Sequence, residues 1–308
     1  STSGTRRHLL EHLREFEADC FPQKDNAARR VFRDAKLSTA VLVGVKSGAP
    51  PDDPLRVRTF PWDSFDDPPL RACDVLRADL ALLDPDRMPV PLVDADIWRL
   101  CVRLHRHRGV IRLGECAEFE LRRGEVNQTT YRDFITADRR KPRLLKGSEI
   151  APYHLQPPSQ GEREWFDEKA CLASFQRDAT RDEWLALAAS RRIATQRITG
   201  VDDARRLIAL IVEPRCWLAD STNSIRARGG SLEYLVALLN SDLWQWRFRV
   251  TSTNNNVQTN ELEGMPFRVI DRTDRTDVEL EAEIIRRVSA IQALHAGGDR
   301  HLVAAHER

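Results

Sequence analysis

No apolar run in this 308-residue chain approaches the ~20 residues needed to cross a bilayer, and no basic-plus-apolar leader opens it. A membrane partner is therefore not expected. The chain opens at Ser1 rather than Met, which leads us to expect a processed or excised polypeptide. None of the six cysteines (Cys20, Cys73, Cys101, Cys116, Cys171 and Cys216) stands in a CxxC pair. They read as reduced, mostly buried thiols of a cytoplasmic protein. Glycine-rich signatures are missing too. There is no GxxxxGK[ST] phosphate loop, no GxGxxG and no GxSxG elbow, which excludes the corresponding nucleotide-binding and serine-nucleophile chemistries. His105 and His107 have no third ligand at a sensible spacing, so a metal site is not expected there.

Lysine is scarce: of 48 cations nearly all are Arg. High-GC coding alone produces such a bias, yet Arg is also the better fork for phosphates and guanine edges. The net charge of +1 says nothing about partners, but its distribution does. Residues 101–160 carry 12 cations against 7 acids and residues 184–250 carry 10 against 6, whereas 161–183 and 251–308 are acidic. Hydrophobic content of 41% against 31% charge supports packed cores, and the length suits about two domains of ~150 residues.

Residues 5–19 read as an amphipathic helix, with Leu9, Leu13, Phe16 and Cys20 on one stripe. Residues 36–48 read as a buried strand, 55–62 as a half-exposed strand and 70–83 as a helix. Pro85, Pro89 and Pro91 mark a boundary. Alternation over 110–126, with glycines at 114 and 124, suggests a strand pair. Residues 142–158 read as strand, turn and loop, 181–190 as a helix, and the segments around 191–200 and 207–229 as strands. A helix capped by Ser231 runs to Val250 with Leu232, Leu235, Leu239, Leu243, Trp246 and Val250 on its apolar side, and a last helix covers 277–296.

Three stretches carry candidate chemistry. The long helix ends in Arg247, Arg249 and a run of Thr, Asn and Gln over 251–260. Asn and Gln can bond adenine bidentately in the major groove, and Arg can bond guanine, although such a run also serves as a solvated loop. The stretch 121–135 repeats the mixture around a glycine turn, and 138–146 holds five cations in nine residues, a composition suited to phosphate contact or to a solvated face.

Together these stretches resemble a known family. YLVALLNSDLWQWRF, the polar loop after it and ELEGMPF are similar to the hallmark of the TaqI-like specificity domain of adenine-specific DNA methyltransferases and type IIG restriction–modification enzymes. GEVNQTTYRDFIT, RLLKGSEIAPYHL and ADSTNSIRARG fit the same pattern, so the resemblance covers roughly 110–270. Upstream, the stretch holding Val31-Phe32 and Ser38–Lys46 resembles the closing piece of the family's methyltransferase domain. Its catalytic tetrapeptide is absent. Asp67-Pro68-Pro69-Leu70 ends in Leu where an aromatic would stack the flipped base.

The resemblance implies an α+β chain: a C-terminal remnant of a Rossmann-like methyltransferase domain over 1–100, a mixed α/β target-recognition domain over 101–270, and a terminal helix and tail over 271–308. It implies double-stranded DNA as partner, together with a methyltransferase catalytic domain or subunit. No cofactor is expected in this chain itself, and S-adenosylmethionine belongs to that missing catalytic domain. No catalytic residue is assigned. The expected base readers are Asn127, Gln128, Arg249, Asn254, Asn255, Asn256 and Gln258. The expected phosphate contacts are Arg122, Arg123, Arg143, Lys146, Arg226 and Arg228, and the 122–128 turn and the 251–260 segment are expected to converge on one cationic cleft. Two other readings stay open: a nuclease or transferase using Glu118, Glu120 or Asp167, and a protein-interaction scaffold using the last helix and acidic tail.

Overall fold

A computed structural model describes residues 2–22, 26–34, 38–46, 53–158, 161–200, 204–252 and 255–297. It is a mixed α/β protein with several small sheets and two compact units, 1–110 with 249–252, and 111–248 with 253–308.

The first unit holds α1 (Thr2–His12), β1 (Leu13–Phe21), β2 (Thr39–Lys46), β3 (Leu55–Thr59), β4 (Arg71–Val75), α2 (Arg77–Leu83) and α3 (Ala95–His105). Its sheet runs β2-β1-β3-β4, with β1 antiparallel to β2 and parallel to β3. The helix expected over 5–19 stops at His12. Leu13–Phe21 is instead a strand bonded on both sides, with Phe16 and Ala18 buried on one face. Leu9, Leu13, Phe16 and Cys20 fit a helical stripe, while Phe16, Ala18 and Cys20 also alternate as a strand does, and ladders with two neighbours decide for the strand. The strand over 36–48 is present as β2, but it is an exposed edge rather than a buried strand, with Val41, Leu42, Val43 and Val45 all exposed. The helix expected over 70–83 divides into β4 and α2.

The second unit continues with β5 (Val110–Arg112), β6 (Phe119–Arg123), β7 (Ile135–Thr136), β8 (Arg143–Leu145), β9 (Ile150–Ala151), β10 (His154–Leu155) and β11 (Glu164–Phe166). Then come α4 (Glu168–Ala173), α5 (Asp178–Ala188), β12 (Arg192–Gln196), β13 (Ala209–Val212), β14 (Cys216–Leu218) and β15 (Thr222–Ala227). The unit closes with α6 (Leu232–Asn240), α7 (Asp242–Thr251), α8 (Thr259–Glu263), β16 (Pro266–Arg268) and α9 (Arg275–Gly297). Two four-stranded sheets organise it, β13-β12-β15-β6 and β14-β8-β11-β7. The strand pair expected over 110–126 does not form as a hairpin: β5 pairs with β16, and β6 with β15.

The helix expected over 231–250 is two helices. Ser231 caps α6 as expected, accepting from the Tyr234 N–H at 3.1 Å. Ser241 then leaves helical geometry, donates to the Leu238 carbonyl at 2.7 Å, and accepts from the Trp244 N–H at 3.2 Å, so it both closes α6 and caps α7. The break shifts the helical phase. Leu243, expected inside, is 51% exposed, and Trp244 and Phe248 enter the core in its place. That core gathers Leu113, Phe119, Ile193, Ile225, Leu235, Leu239, Leu262 and Phe267. A second cluster around Trp217, Phe166, Leu144 and Val126 fills the space beside the other sheet.

Candidate nucleic-acid interface

The site is built around the corner between β14 and β15, residues Ala219–Ser221. Gly124 and Gly147 both press against it. A Cβ on Gly124 would lie 2.0 Å from the Ala219 carbonyl oxygen, and one on Gly147 would lie 2.4 Å from that of Ser221, so only glycine fits at either position. Hydrogen bonds lock these turns to the corner. Gly124 N–H donates to Thr222 O at 2.9 Å, Val126 N–H to Leu218 O at 3.0 Å, and Asp220 N–H to Val126 O at 2.8 Å. Gly147 N–H donates to the Ser221 hydroxyl at 3.0 Å. Arg197, just past the end of β12, donates its N–H to Ser221 O at 3.0 Å.

Strand register then sorts the side chains. Side chains alternate between the faces of a sheet, and Thr195 pairs with Asn223, which pairs with Arg123. One row inward, Ile193, Ile225 and Leu121 occupy the same face and pack into the core. That face is therefore apolar in its middle and polar at the end holding Thr195, Asn223 and Arg123. Buried Asn223 is the hub: its Nδ2 donates to Val257 O at 3.0 Å and to Thr195 Oγ1 at 3.2 Å, and its Oδ1 accepts from the Thr259 hydroxyl at 3.3 Å. The Asn-rich segment is anchored further by Val257 N–H to Arg197 O at 2.7 Å and Thr199 N–H to Asn255 O at 2.9 Å. The 122–128 turn and the 255–259 segment thus share one end of one sheet face.

The expected readers distribute unevenly. Asn255 is exposed, and Asn256 and Gln258 are half-buried beside the hub. Gln258 starts α8, its N–H bonded to Glu261 at 2.9 Å. The Asn127 Oδ1 is engaged in its own turn, accepting the N–H groups of Thr129 and Thr130 at 3.0 and 2.9 Å. Gln128 is half-buried in that turn. Arg249 is exposed in the last turn of α7 and belongs to the first unit. Asn254 lies outside the described residues.

The expected phosphate contacts are spread over opposite faces of one sheet and over a second sheet, and each is already bonded to an acceptor of its own chain. Arg123 lies at the polar end described above, bonded to the Asp220 carboxylate at 2.7 Å and its carbonyl at 3.1 Å. By alternation Arg122 points to the opposite face, where it, Arg226 and Arg228 converge on Glu120; Arg122 also pairs with Glu183. Arg143 pairs with the fully buried Glu149, and Lys146 with Glu164 at 3.1 Å. The side chains of Arg122, Arg123 and Arg228 are 42%, 48% and 58% exposed, so a phosphate can reach them, although their carboxylate partners Glu120 and Asp220 are mostly buried. Arg143 is different, because removing it would strand a buried charge.

Glu120 is also a poor candidate for catalysis. Burial works to raise its pKa, but hydrogen bonds from Arg226, Arg122 and Arg228 outweigh burial and hold it down at about 2. Asp167, the other carboxylate of the nuclease reading, caps α4 by accepting from Ala170 N–H at 3.3 Å and pairs with Lys141 at 2.9 Å. Because the folded-state pKa of Glu120 is depressed, its stabilisation is complete above the unfolded value of roughly 4.3 and fades as pH falls through about 2. Glu120→Gln is therefore expected to lower the unfolding midpoint at pH 7 and to flatten the decline across that acid window. Thermal melts at neutral and acid pH check this, and a variant that keeps the wild-type acid slope would show that Glu120 carries none of it.

No family model matches the chain, and no curated protein matches it. Among solved structures it is similar to the type IIG restriction endonuclease BpuSI, with 13% identity and a TM-score of 0.41 over 93% of this chain and 40% of that one. It is similar to the type IIL restriction-modification enzyme MmeI in complex with DNA, with 11% identity and a TM-score of 0.48 over 96% and 40%. A third likeness is to the HsdS subunit from Thermoanaerobacter tengcongensis, with 13% identity and a TM-score of 0.35 over 71% and 58%. The chain spans 40% of the length of the first two, and the likeness is one of loose shape.

Arg197, Asp220 and Asn223 were not among the base readers or phosphate contacts expected from sequence, and Thr259 was singled out only as part of the 251–260 run. Alternation through Arg192–Gln196 places Ile193 and Thr195 on one face, but only the pairing of β12 with β15, and of β15 with β6, shows that Asn223 and Arg123 share it. No helix among the described residues is long and apolar enough to cross a membrane.

Proposed function

We propose that the chain is the DNA target-recognition part of a restriction–modification enzyme or adenine-specific DNA methyltransferase. It would hold duplex DNA and present the target adenine to a catalytic domain that lies outside these residues and carries S-adenosylmethionine. On this reading the first unit is the closing piece of that methyltransferase domain. One observation carries the proposal: the glycine turn and the Asn-rich segment, remote in sequence, are tied by Asn223 to one polar sheet end that also holds Arg123. Amide side chains beside guanidiniums are the donors and acceptors that read base edges and grip phosphates.

Titration of the chain against a set of duplexes at low and high salt tests it. Affinity should fall steeply with salt. Asn255→Ala and Gln258→Ala should shift preference among duplexes, by about 1–3 kcal/mol for each bidentate hydrogen-bond pair to a base that the substitution removes, with little change in non-specific affinity. Affinity indifferent to salt, or variants that weaken all duplexes alike, would refute the reading.

A further inference from the structure

Arg197 differs from the other arginines at the site. Its backbone is held on both sides, N–H to Ser221 O at 3.0 Å and O from Val257 N–H at 2.7 Å. Among the described residues its guanidinium has no hydrogen-bond partner. It lies just past the end of β12, two residues after Thr195, and its N–H bond to Ser221 O keeps it at the end of the sheet where Thr195, Asn223 and Arg123 share a row. Asp220 sits between the demands of two guanidiniums. It bonds Arg123 directly and attracts Arg197 at longer range, while Arg123 repels Arg197. Burial, then Arg123, pull the proton affinity of Arg197 down, and Asp220 opposes them.

Among the described residues, two guanidiniums beside one carboxylate leave a net positive charge and a fork with unused donors. The Asp220 side chain is only 20% exposed and is held at a corner clamped by Gly124 and Gly147, so it stays in place when a ligand arrives. A second anion arriving from solvent would satisfy Arg197, relieve its repulsion with Arg123, and leave Asp220 bonded where it is. Arg123, 48% exposed, can turn a donor outward without leaving the corner.

We propose that Arg197 and Arg123 form a two-guanidinium seat for one phosphate of the DNA backbone, with Asp220 as the internal counter-ion that keeps the pair together in the unbound chain. This rests on the DNA-recognition reading and goes beyond it, because it adds Arg197, which neither the polar loops nor the sequence resemblance indicated, and pairs it with Arg123 on a single phosphate. The seat gives register rather than sequence choice, fixing the duplex against the neighbouring Asn255, Asn256 and Gln258.

Binding of the full chain to a panel of short duplexes, measured against salt for wild type, Arg197→Ala, Arg197→Lys and Asp220→Asn, tests the seat. Arg197→Ala should weaken every duplex by about tenfold, the scale of one charged hydrogen-bonded contact. It should also reduce the slope of log affinity against log salt by about 0.9, the value of one phosphate. Arg197→Lys should keep the slope. Asp220→Asn should tighten binding at low salt, since no internal carboxylate then competes. Unfolding midpoints within a degree or two of wild type for Arg197→Ala would show that the loss is not one of folding, as its backbone anchors predict. Wild-type affinity and slope in Arg197→Ala, or a loss confined to some sequences, would overturn the seat while leaving the DNA-recognition reading standing. Absence of salt-dependent duplex binding by the wild-type chain would remove both.

Discussion

Arg192→Ala is expected to destabilise the second unit by about 3–5 kcal/mol, the cost of leaving a buried charge without its partner. Arg192 and Glu125 have side chains only 1% and 4% exposed, and they meet as a two-pronged pair at 2.6 and 3.2 Å. Arg192 also donates to the Cys216 carbonyl at 2.9 Å and approaches the Ser224 hydroxyl at 3.4 Å, while Glu125 accepts from the Leu218 N–H at 3.1 Å. Removing the guanidinium therefore strands a carboxylate against the ends of β14 and β15. Glu125 belongs to the 122–128 turn, so the same change loosens the turn that presents Asn127 and Gln128. Denaturant unfolding followed by tryptophan fluorescence measures the loss. The double variant Arg192→Met with Glu125→Leu should recover much of it, because the charge that needed a partner is gone. A single variant within about 1 kcal/mol of wild type would mean that water or relaxation already satisfies Glu125.

Trp217→Ala is expected to cost a similar amount, about 3–5 kcal/mol, through a different mechanism. Trp217 is fully buried in the second core, its ring 5.3 Å from that of Phe166 and 5.6 Å from that of Trp184, and its indole N–H donates to Glu168 at 3.0 Å. The alanine leaves a cavity beside Val126 and Ala219, the two residues that carry the glycine turn and the Asp220 corner. Stability and duplex affinity should therefore fall together. Trp217→Phe should lose less, since it keeps the ring and gives up only the indole bond and part of the volume. Equal losses for Ala and Phe would place the weight on the Glu168 bond rather than on packing.

The elements of the second unit were legible where one period dominates. The helices read over 181–190 and 277–296 and the start of the one at Ser231 follow from apolar spacing, and Ser231 reads as a cap because its hydroxyl can accept the free N–H groups of the first turn. The first helix was misread because Leu9, Leu13, Phe16 and Cys20 follow the helical period, whereas the strand alternates through Phe16, Ala18 and Cys20 after a bulge between Arg14 and Glu17, and its pairing with two distant strands is invisible locally. The break at Ser241 escaped for a related reason: serine is tolerated inside a helix, and its double bond to Leu238 and Trp244 exists only once both helices are packed.

The candidate site divides along the same line. Sequence alone determined which residues could speak to DNA, since Arg, Asn and Gln near glycines are a matter of composition and order. That Gly124 and Gly147 admit no side chain follows only from their approach to the Ala219 and Ser221 carbonyls. Only the tertiary structure decided which of those residues stand together. Strand alternation sent Arg122 and Arg123 to opposite faces, and the pairing of β12, β15 and β6 brought Arg197 and Asn223 beside Arg123. Internal carboxylates claimed the remaining cations. A side chain's type is local information, but its neighbours depend on register between strands tens of residues apart, and register is set by burying the apolar row that lies next to them.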